Sequence, residues 1–207
     1  MGDMVPFRTK RRVIIAVNGE MLAGKDTFAD AFLEYVGPNH PDVLFTKVGF
    51  SDAIIREFSA ISGIPIAEVY ERKNELRPLI QEHGAHRRRE DPDYWIKYVL
   101  NTPGNIVISG LRYMRERMAI VAQRESSDAV ILVRVEASLE ERKKRGEVKD
   151  DPYGGEAELR NPDLYWDTIL ENNKTLDEFR WLSYLYSRFV MSELRREHIL
   201  PYREDQV

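Results

Sequence analysis

The period of apolar and polar positions changes several times along the chain. Residues 13–17 (VIIAV) form a β-branched apolar run closed by Asn18-Gly19, as a strand buried on both faces requires. Residues 26–36 place Phe28, Ala29, Phe32, Leu33 and Val36 at helical spacing, and Gly37-Pro38 is expected to stop that helix. Residues 44–50 read as a second strand, followed by a helix to about residue 62 that Ser51 or Asp52 can cap. Across 66–101 the segments IAEVYERKNELRPLIQEHG and DPDYWIKYVLN read as helices broken by polar turns, the second capped by Asp91 with Pro92 in its first turn. Residues 105–109 (NIVIS) and 129–135 (AVILVRV) are a third and a fourth strand, with a helix at 112–125 between them. A charged helix at 138–145, a Gly- and Pro-containing loop at 146–163, a short strand within 166–171 and an amphipathic helix at 176–197 follow.

Strands alternating with helices predict an α/β fold, with a mostly parallel five-stranded sheet covered on both faces. The length suits one domain at 13–207, after a polar leader at 1–12 expected to be mobile. Charged residues make up 32% of the chain in mixed sign, for a net charge of −4, so no whole-protein basic field for duplex nucleic acid exists. The 31 Lys and Arg residues still allow a local basic cleft. The absence of cysteine excludes a disulfide framework, a Cys-based zinc site and a thiol nucleophile. His40, His83, His86 and His198 show no metal-ligand spacing, and no hydrolytic triad is evident. The basic N-terminus lacks the apolar stretch of a secretory signal, and VIIAV is far short of the ~20 residues that span a bilayer. A soluble cytoplasmic protein with no membrane partner is the expectation.

Chemistry concentrates after the first strand. Gly19-Glu20-Met21-Leu22-Ala23-Gly24-Lys25 fits the first seven positions of the phosphate-loop pattern GxxxxGK[ST]. Such a loop wraps backbone N–H groups around phosphate oxygens, so glycine is needed where the chain turns tightly, and the helix that follows adds its positive dipole end. Lys25 adds a mobile point charge for the outer phosphates. The strand before and the helix after supply the context the motif demands, so ATP or another nucleoside triphosphate is the expected ligand. The eighth position is Asp26 rather than Ser or Thr, with Thr27 one place late. Asp26 can hold magnesium, directly or through water, or can cap the helix. Thr27 can bond back within the helix.

The GKDT ending resembles the phosphate loop of phage-type deoxynucleoside monophosphate kinases, and animal phosphomevalonate kinase has a similar GKD. The resemblance continues through Phe50-Ser51-Asp52-Ala53-Ile54-Ile55-Arg56, Arg77-Pro78-Leu79-Ile80-Gln81 with Gly84, Arg88, Asp93-Tyr94-Trp95, Ile106–Arg112 with Glu116, and Trp166–Asn172. It spans about residues 13–180. It implies a three-layer α/β/α P-loop kinase with a helical acceptor-binding region at about 51–101, a short lid at about 138–163, and ATP with Mg2+ as cofactors. One position departs: Gly110 stands where those kinases end the third strand in Asp, leaving Asp26, Asp52 and Glu116 as candidates for the magnesium carboxylate.

Phosphoryl transfer needs positive charge around crowded negative oxygens. Asp52, Arg56, Arg77, Gln81, Arg88, Trp95 and Arg112 form the candidate acceptor set: the arginines to clamp a phosphate, Gln81 to read a base edge, and Trp95 or Tyr94 to stack on it. Arg142 and Arg145 share a helix face in the lid, where one can swing over the transferring group as an arginine finger. These residues point to phosphoryl transfer from ATP to a (deoxy)nucleoside monophosphate or another small phosphorylated substrate. Alternatives are a hydroxymethylated pyrimidine in DNA, a phosphomevalonate-like acceptor, and a non-catalytic nucleotide-binding module. DNA is the less favoured partner given the acidic net charge. The stripe Trp181, Tyr184, Leu185, Arg188 and Phe189 leaves a homodimer open, although covering the sheet is the commoner use of such a stripe.

Overall fold

A computed structural model describes residues 12–126, 128–148 and 158–200. Five strands, β1 (Val13–Asn18), β2 (Phe45–Gly49), β3 (Asn105–Leu111), β4 (Ala129–Glu136) and β5 (Thr168–Glu171), form one sheet. Its order is β2-β3-β1-β4-β5, and every pairing is parallel. The eight helices among the described residues are α1 (Lys25–Asn39), α2 (Phe50–Ser62), α3 (Ile66–Glu71), α4 (Lys73–Glu90), α5 (Tyr94–Leu100), α6 (Met114–Ala122), α7 (Leu139–Arg145) and α8 (Leu176–Arg196). None is long and apolar enough to cross a membrane.

The period of two along β1 sorts the core into two layers. Val13, Ile15 and Val17 face α1 and α8, where they meet Phe28, Phe32, Val190 and Met191. Ile14 and Ala16 face the other way, onto Ile55 of α2, Ile80 of α4, Trp95 of α5 and Ile120 of α6. The architecture is therefore three-layer α/β/α, with the sheet buried on both sides as its apolar runs require. The helix after β1 lies on one face and the helix after β3 on the other. These adjacent strands thus part at their carboxyl ends, where an open parallel sheet binds its ligands.

Several boundaries differ from the sequence reading. The first helix runs through Gly37-Pro38 and ends where the His40 N–H donates to the Val36 carbonyl at 2.7 Å, because a proline in the last turn costs little further pairing. Gly49 rather than Ser51 or Asp52 stands at the cap of α2, and Asp52 instead accepts from the Tyr70 hydroxyl at 3.0 Å. Asp93 rather than Asp91 precedes α5, while Asp91 accepts from the Asp93 N–H at 2.9 Å. The helix after β3 is shorter than expected, since Tyr113 remains extended and the helix begins only at Met114. The mobility expected of the leader concerns residues 1–11, which lie outside the described residues. Arg12 itself is tied down, donating to the Leu100 carbonyl at 2.8 Å. Residues 149–157 of the expected lid also lie outside them.

Along α8, Phe179, Val190, Met191 and Leu194 cover the sheet, while Trp181, Leu185 and Phe189 face outward. Trp95 is the largest side chain buried in the layer under the cleft; it is 1% exposed, and its indole N–H donates to the Gly84 carbonyl at 3.1 Å. It locks α5 against α4. Trp95→Ala is expected to lower stability by about 3–5 kcal/mol, read as a reduced midpoint in urea denaturation.

Candidate active site

The phosphate loop is held from behind. The side-chain amide of Asn172, just past β5, donates to the Ala23 carbonyl at 2.8 Å. Arg145 donates to the Leu22 carbonyl at 3.1 Å and to the Asn172 carbonyl at 2.5 Å, and Arg142 donates to the Met21 carbonyl at 3.4 Å. The Lys25 ammonium arches back to the Glu20 carbonyl at 2.8 Å. The carbonyls of residues 20–23 therefore all find donors. The amides at the start of α1, which have no acceptor within the helix, remain available for an anion. Gly24 has φ 108°, and a Cβ there would overlap the Asn172 amide, so glycine is required for both the turn and the clamp.

This corrects the expected role of the lid arginines. Arg142 and Arg145 do not point over the cleft. Arg142 is 7% exposed and ion-paired with Glu20, and Arg160 meets the other Glu20 oxygen at 2.5 Å. The backbone carbonyls of a tight loop and the Glu20 carboxylate offer them a partner that solvent would otherwise supply.

In front of the loop lies a cleft of about 360 Å³. Met21, Leu22, Lys25 and Asp26 line it from the loop side, and Asp52, Arg77, Gln81, Arg88 and Arg112 from the opposite side. The structure thus brings together five of the seven candidate acceptor residues. Two fall outside. Arg56 is exposed on α2 away from the lining, and Trp95 is a core residue whose indole has no open face for a base. Gly19, Glu20, Ala23 and Thr27 belong to the loop and its helix without lining the cleft. Lys73, Ser109, Tyr113 and Glu116 are additional lining residues. Lys73 was legible, because positions 73, 77, 81, 84 and 88 lie at three- and four-residue steps on one face of α4.

The charges are unevenly matched. Most cations on the surface carry a carboxylate partner, as in Arg115 with Asp93 and Arg195 with Asp42. Among the described residues, Arg77 and Arg112 form no ion pair, and the Arg112 Nε is buried without a hydrogen-bond acceptor. Arg88 stacks its guanidinium over the Tyr113 ring at 4.6 Å and stands 3.9 Å from the Glu116 carboxylate.

Two acids differ in state. Burial opposes the charge of Asp26, but Lys47 at 3.2 Å, a hydrogen bond from Ser109 and the charge of Lys25 outweigh it and hold the carboxyl below its usual range. Glu116 is 4% exposed, and burial pushes its carboxyl up to about 7 despite hydrogen bonds from the Arg112 and Tyr113 amides and the charges of Arg88 and Arg112.

The magnesium question narrows accordingly. No group of three acidic or histidine side chains capable of enclosing a metal occurs among the described residues. Asp52 is engaged by Tyr70, and one Glu116 oxygen is held by two amides. Gly110 is the extra residue of a bulge, since Ser109 pairs with Val17 and Leu111 with Asn18, and its φ of 80° disfavours any side chain. Asp26 is left as an ionised carboxylate at the loop. That fits magnesium, which commonly takes one or two carboxylates and completes its shell with phosphate oxygens and water.

No family model matches the chain, and no curated protein sequence does. Solved structures do. The protein titled APE1195 is 21% identical, with 88% of this chain and 98% of that chain covered and a TM-score of 0.51. Shikimate kinase from Acinetobacter baumannii, solved with shikimate, is 18% identical over 88% of this chain and 94% of that one, with a TM-score of 0.50. A gluconokinase from Sinorhizobium meliloti 1021 aligns at 16% identity over 91% and 99%, with a TM-score of 0.49. The likeness is one of fold: the chain has a three-layer α/β/α architecture built on a five-stranded parallel sheet, as the sheet order and the two core layers show.

Two outcomes follow from the site. Replacing Asn172 with Ala removes the donor to Ala23 and is expected to weaken ATP binding about tenfold in isothermal titration, with smaller change in thermal stability than in affinity. Glu116 holds its proton more tightly folded than unfolded, so its contribution to stability is full below about pH 4.5 and is lost as the pH rises to about 7. Glu116→Gln is therefore expected to flatten the wild-type decline across that window, by up to about 3 kcal/mol, in denaturation measured at pH 4.5 and pH 8.

Proposed function

We propose that the chain transfers the γ-phosphoryl group of ATP to the phosphate of a nucleoside monophosphate, with a deoxynucleotide as the favoured acceptor. The observation that carries this reading is the cleft itself: a built phosphate loop on one side and, facing it, Arg77 and Arg112 without a carboxylate partner. Guanidinium groups kept unpaired in a concave site fit an anionic acceptor, and a bidentate fork matches a phosphate. The volume suits a mononucleotide.

In the reaction an acceptor phosphate oxygen attacks the γ-phosphorus, the bond to the β–γ bridging oxygen breaks, and ADP leaves. Loop amides and Lys25 take up charge on the β and γ phosphates as it shifts toward the leaving oxygen. Arg77 and Arg112 offset the charge of the incoming phosphate, which would otherwise repel the donor. Asp26 is the side chain that would hold magnesium, which would supply positive charge to the phosphates of the donor. Little covalent chemistry is asked of the protein; positioning and electrostatics suffice.

Asp52 supports a second reading. It lines the same cleft, and a carboxylate there also fits an acceptor that presents a hydroxyl, such as a hydroxymethylated pyrimidine in DNA. The deciding experiment is a panel of ribo- and deoxynucleoside monophosphates, and of DNA with and without hydroxymethylated pyrimidine, with ATP, magnesium and a readout of ADP. ADP formation with one or more mononucleotides is the expected result. Activity only on DNA selects the second reading, and silence on the whole panel points to a nucleotide-binding module. Lys25→Ala is expected to abolish turnover. Arg77→Ala and Arg112→Ala are each expected to raise the acceptor KM about tenfold or more while the KM for ATP stays within about twofold.

A further inference from the structure

Glu116 is a costly residue to place in this cleft. A buried carboxylate among phosphate-binding arginines weakens the field those arginines supply, and a simple apolar side chain would fill the same space. Its geometry is asymmetric. Oε2 accepts from the Arg112 N–H at 2.9 Å and from the Tyr113 N–H at 3.2 Å, at the start of α6. Oε1 faces Arg88 across 3.9 Å, too far for a hydrogen bond. Arg88 is itself fixed, with its guanidinium over the Tyr113 ring and against Gly84. Two rigid groups, an acceptor and a donor, thus stand apart by a gap in the wall of the cleft.

A ligand group carrying one hydrogen-bond donor beside one lone pair bridges such a gap, donating to Glu116 and accepting from Arg88. A phosphate oxygen does not: the ionised form of Glu116, which a bound donor favours, meets it as a like charge with no proton between them. Resting on the mononucleotide reading above, we infer that Glu116 and Arg88 form the specificity pair that recognises the uncharged part of the acceptor, through an amide edge of the base or a sugar hydroxyl. Its phosphate then goes to Arg77 and Arg112. Glu116 thereby sets which end of the acceptor enters where, since the phosphate is repelled from the one position that the donor favours.

The Gln variant separates this role from the capping one. Glu116→Gln keeps an oxygen for the Arg112 and Tyr113 amides and turns an NH2 toward Arg88, so an acceptor in the cleft wall becomes a donor. Steady-state kinetics of the full chain are measured with the mononucleotide it uses best, and with two analogues of it, one methylated at the ring N–H and one lacking the 3′-hydroxyl. Glu116→Gln is expected to raise the KM for the parent about tenfold to a hundredfold, with the KM for ATP unchanged. The penalty is expected to vanish for the analogue that lacks the donor, and which analogue that is tells base from sugar. An acceptor KM within about twofold of wild type, a parallel loss for ATP, or an equal penalty with all three acceptors overturns the inference while leaving the kinase reading intact. A wild-type chain that neither binds nor phosphorylates any mononucleotide overturns both.

Discussion

The site depends on the direction in which four peptide groups point. A phosphate loop works only if its carbonyls face away from the ligand, and a carbonyl turned into the protein must find a donor there. Lys25, Asn172, Arg145 and Arg142 supply those donors. The lysine arches over its own loop. The other three come from β5 and α7, so the far end of the sheet fixes the shape of the loop at its centre. The left-handed turns at Leu22 and Gly24 belong to the same constraint, because a loop whose carbonyls all face outward cannot be built from right-handed residues alone.

Once the loop is set, the remaining chemistry is a matter of charge left unmatched. Among the described residues many arginines are spent in exposed pairs of small energetic worth, such as Arg72 with Glu75 and Arg180 with Glu34. In the cleft, Arg77 and Arg112 have no carboxylate partner among those residues, and the Arg112 Nε is buried without an acceptor. Asp26 sits opposite, kept ionised by Lys47 and Ser109. Unlike charges held apart around a cavity store electrostatic energy that a ligand of the right charge distribution can release. The bulge at Gly110 shapes this space by ending β3 without a side chain, so that the third strand contributes backbone and the Ser109 hydroxyl rather than a second carboxylate.

The sheet was legible because parallel strands buried on both faces are written as unbroken apolar runs, and residues 13–17, 105–109 and 129–135 are such runs. The loop was legible because its glycines and lysine have fixed offsets. The wall facing the loop was legible in part: Arg77, Gln81 and Arg88 share a helix face that lines the cleft, and Lys73 on the same face could have been added by the same count. Trp95 could not be placed, because a tryptophan in a short helix packs or stacks with equal plausibility until its neighbours are known, and here Gly84 takes its N–H. Arg142 and Arg145 were misassigned for a related reason. Their spacing defined a face, but which partner that face meets depends on a contact with the loop more than 120 residues earlier in the chain.

That separation has a consequence for how the protein is made. Asn172 lies 149 residues beyond Ala23, and Arg145, which donates to the same carbonyl at 3.4 Å, lies 122 residues beyond it. During synthesis the phosphate-loop motif emerges early, yet its carbonyls have no donors from β5 until nearly the whole domain has left the ribosome. An unfinished chain therefore carries the motif without the pocket. The carbonyls of the loop gain their full set of donors only once the last strand of the sheet is in place, late in the order in which the chain emerges.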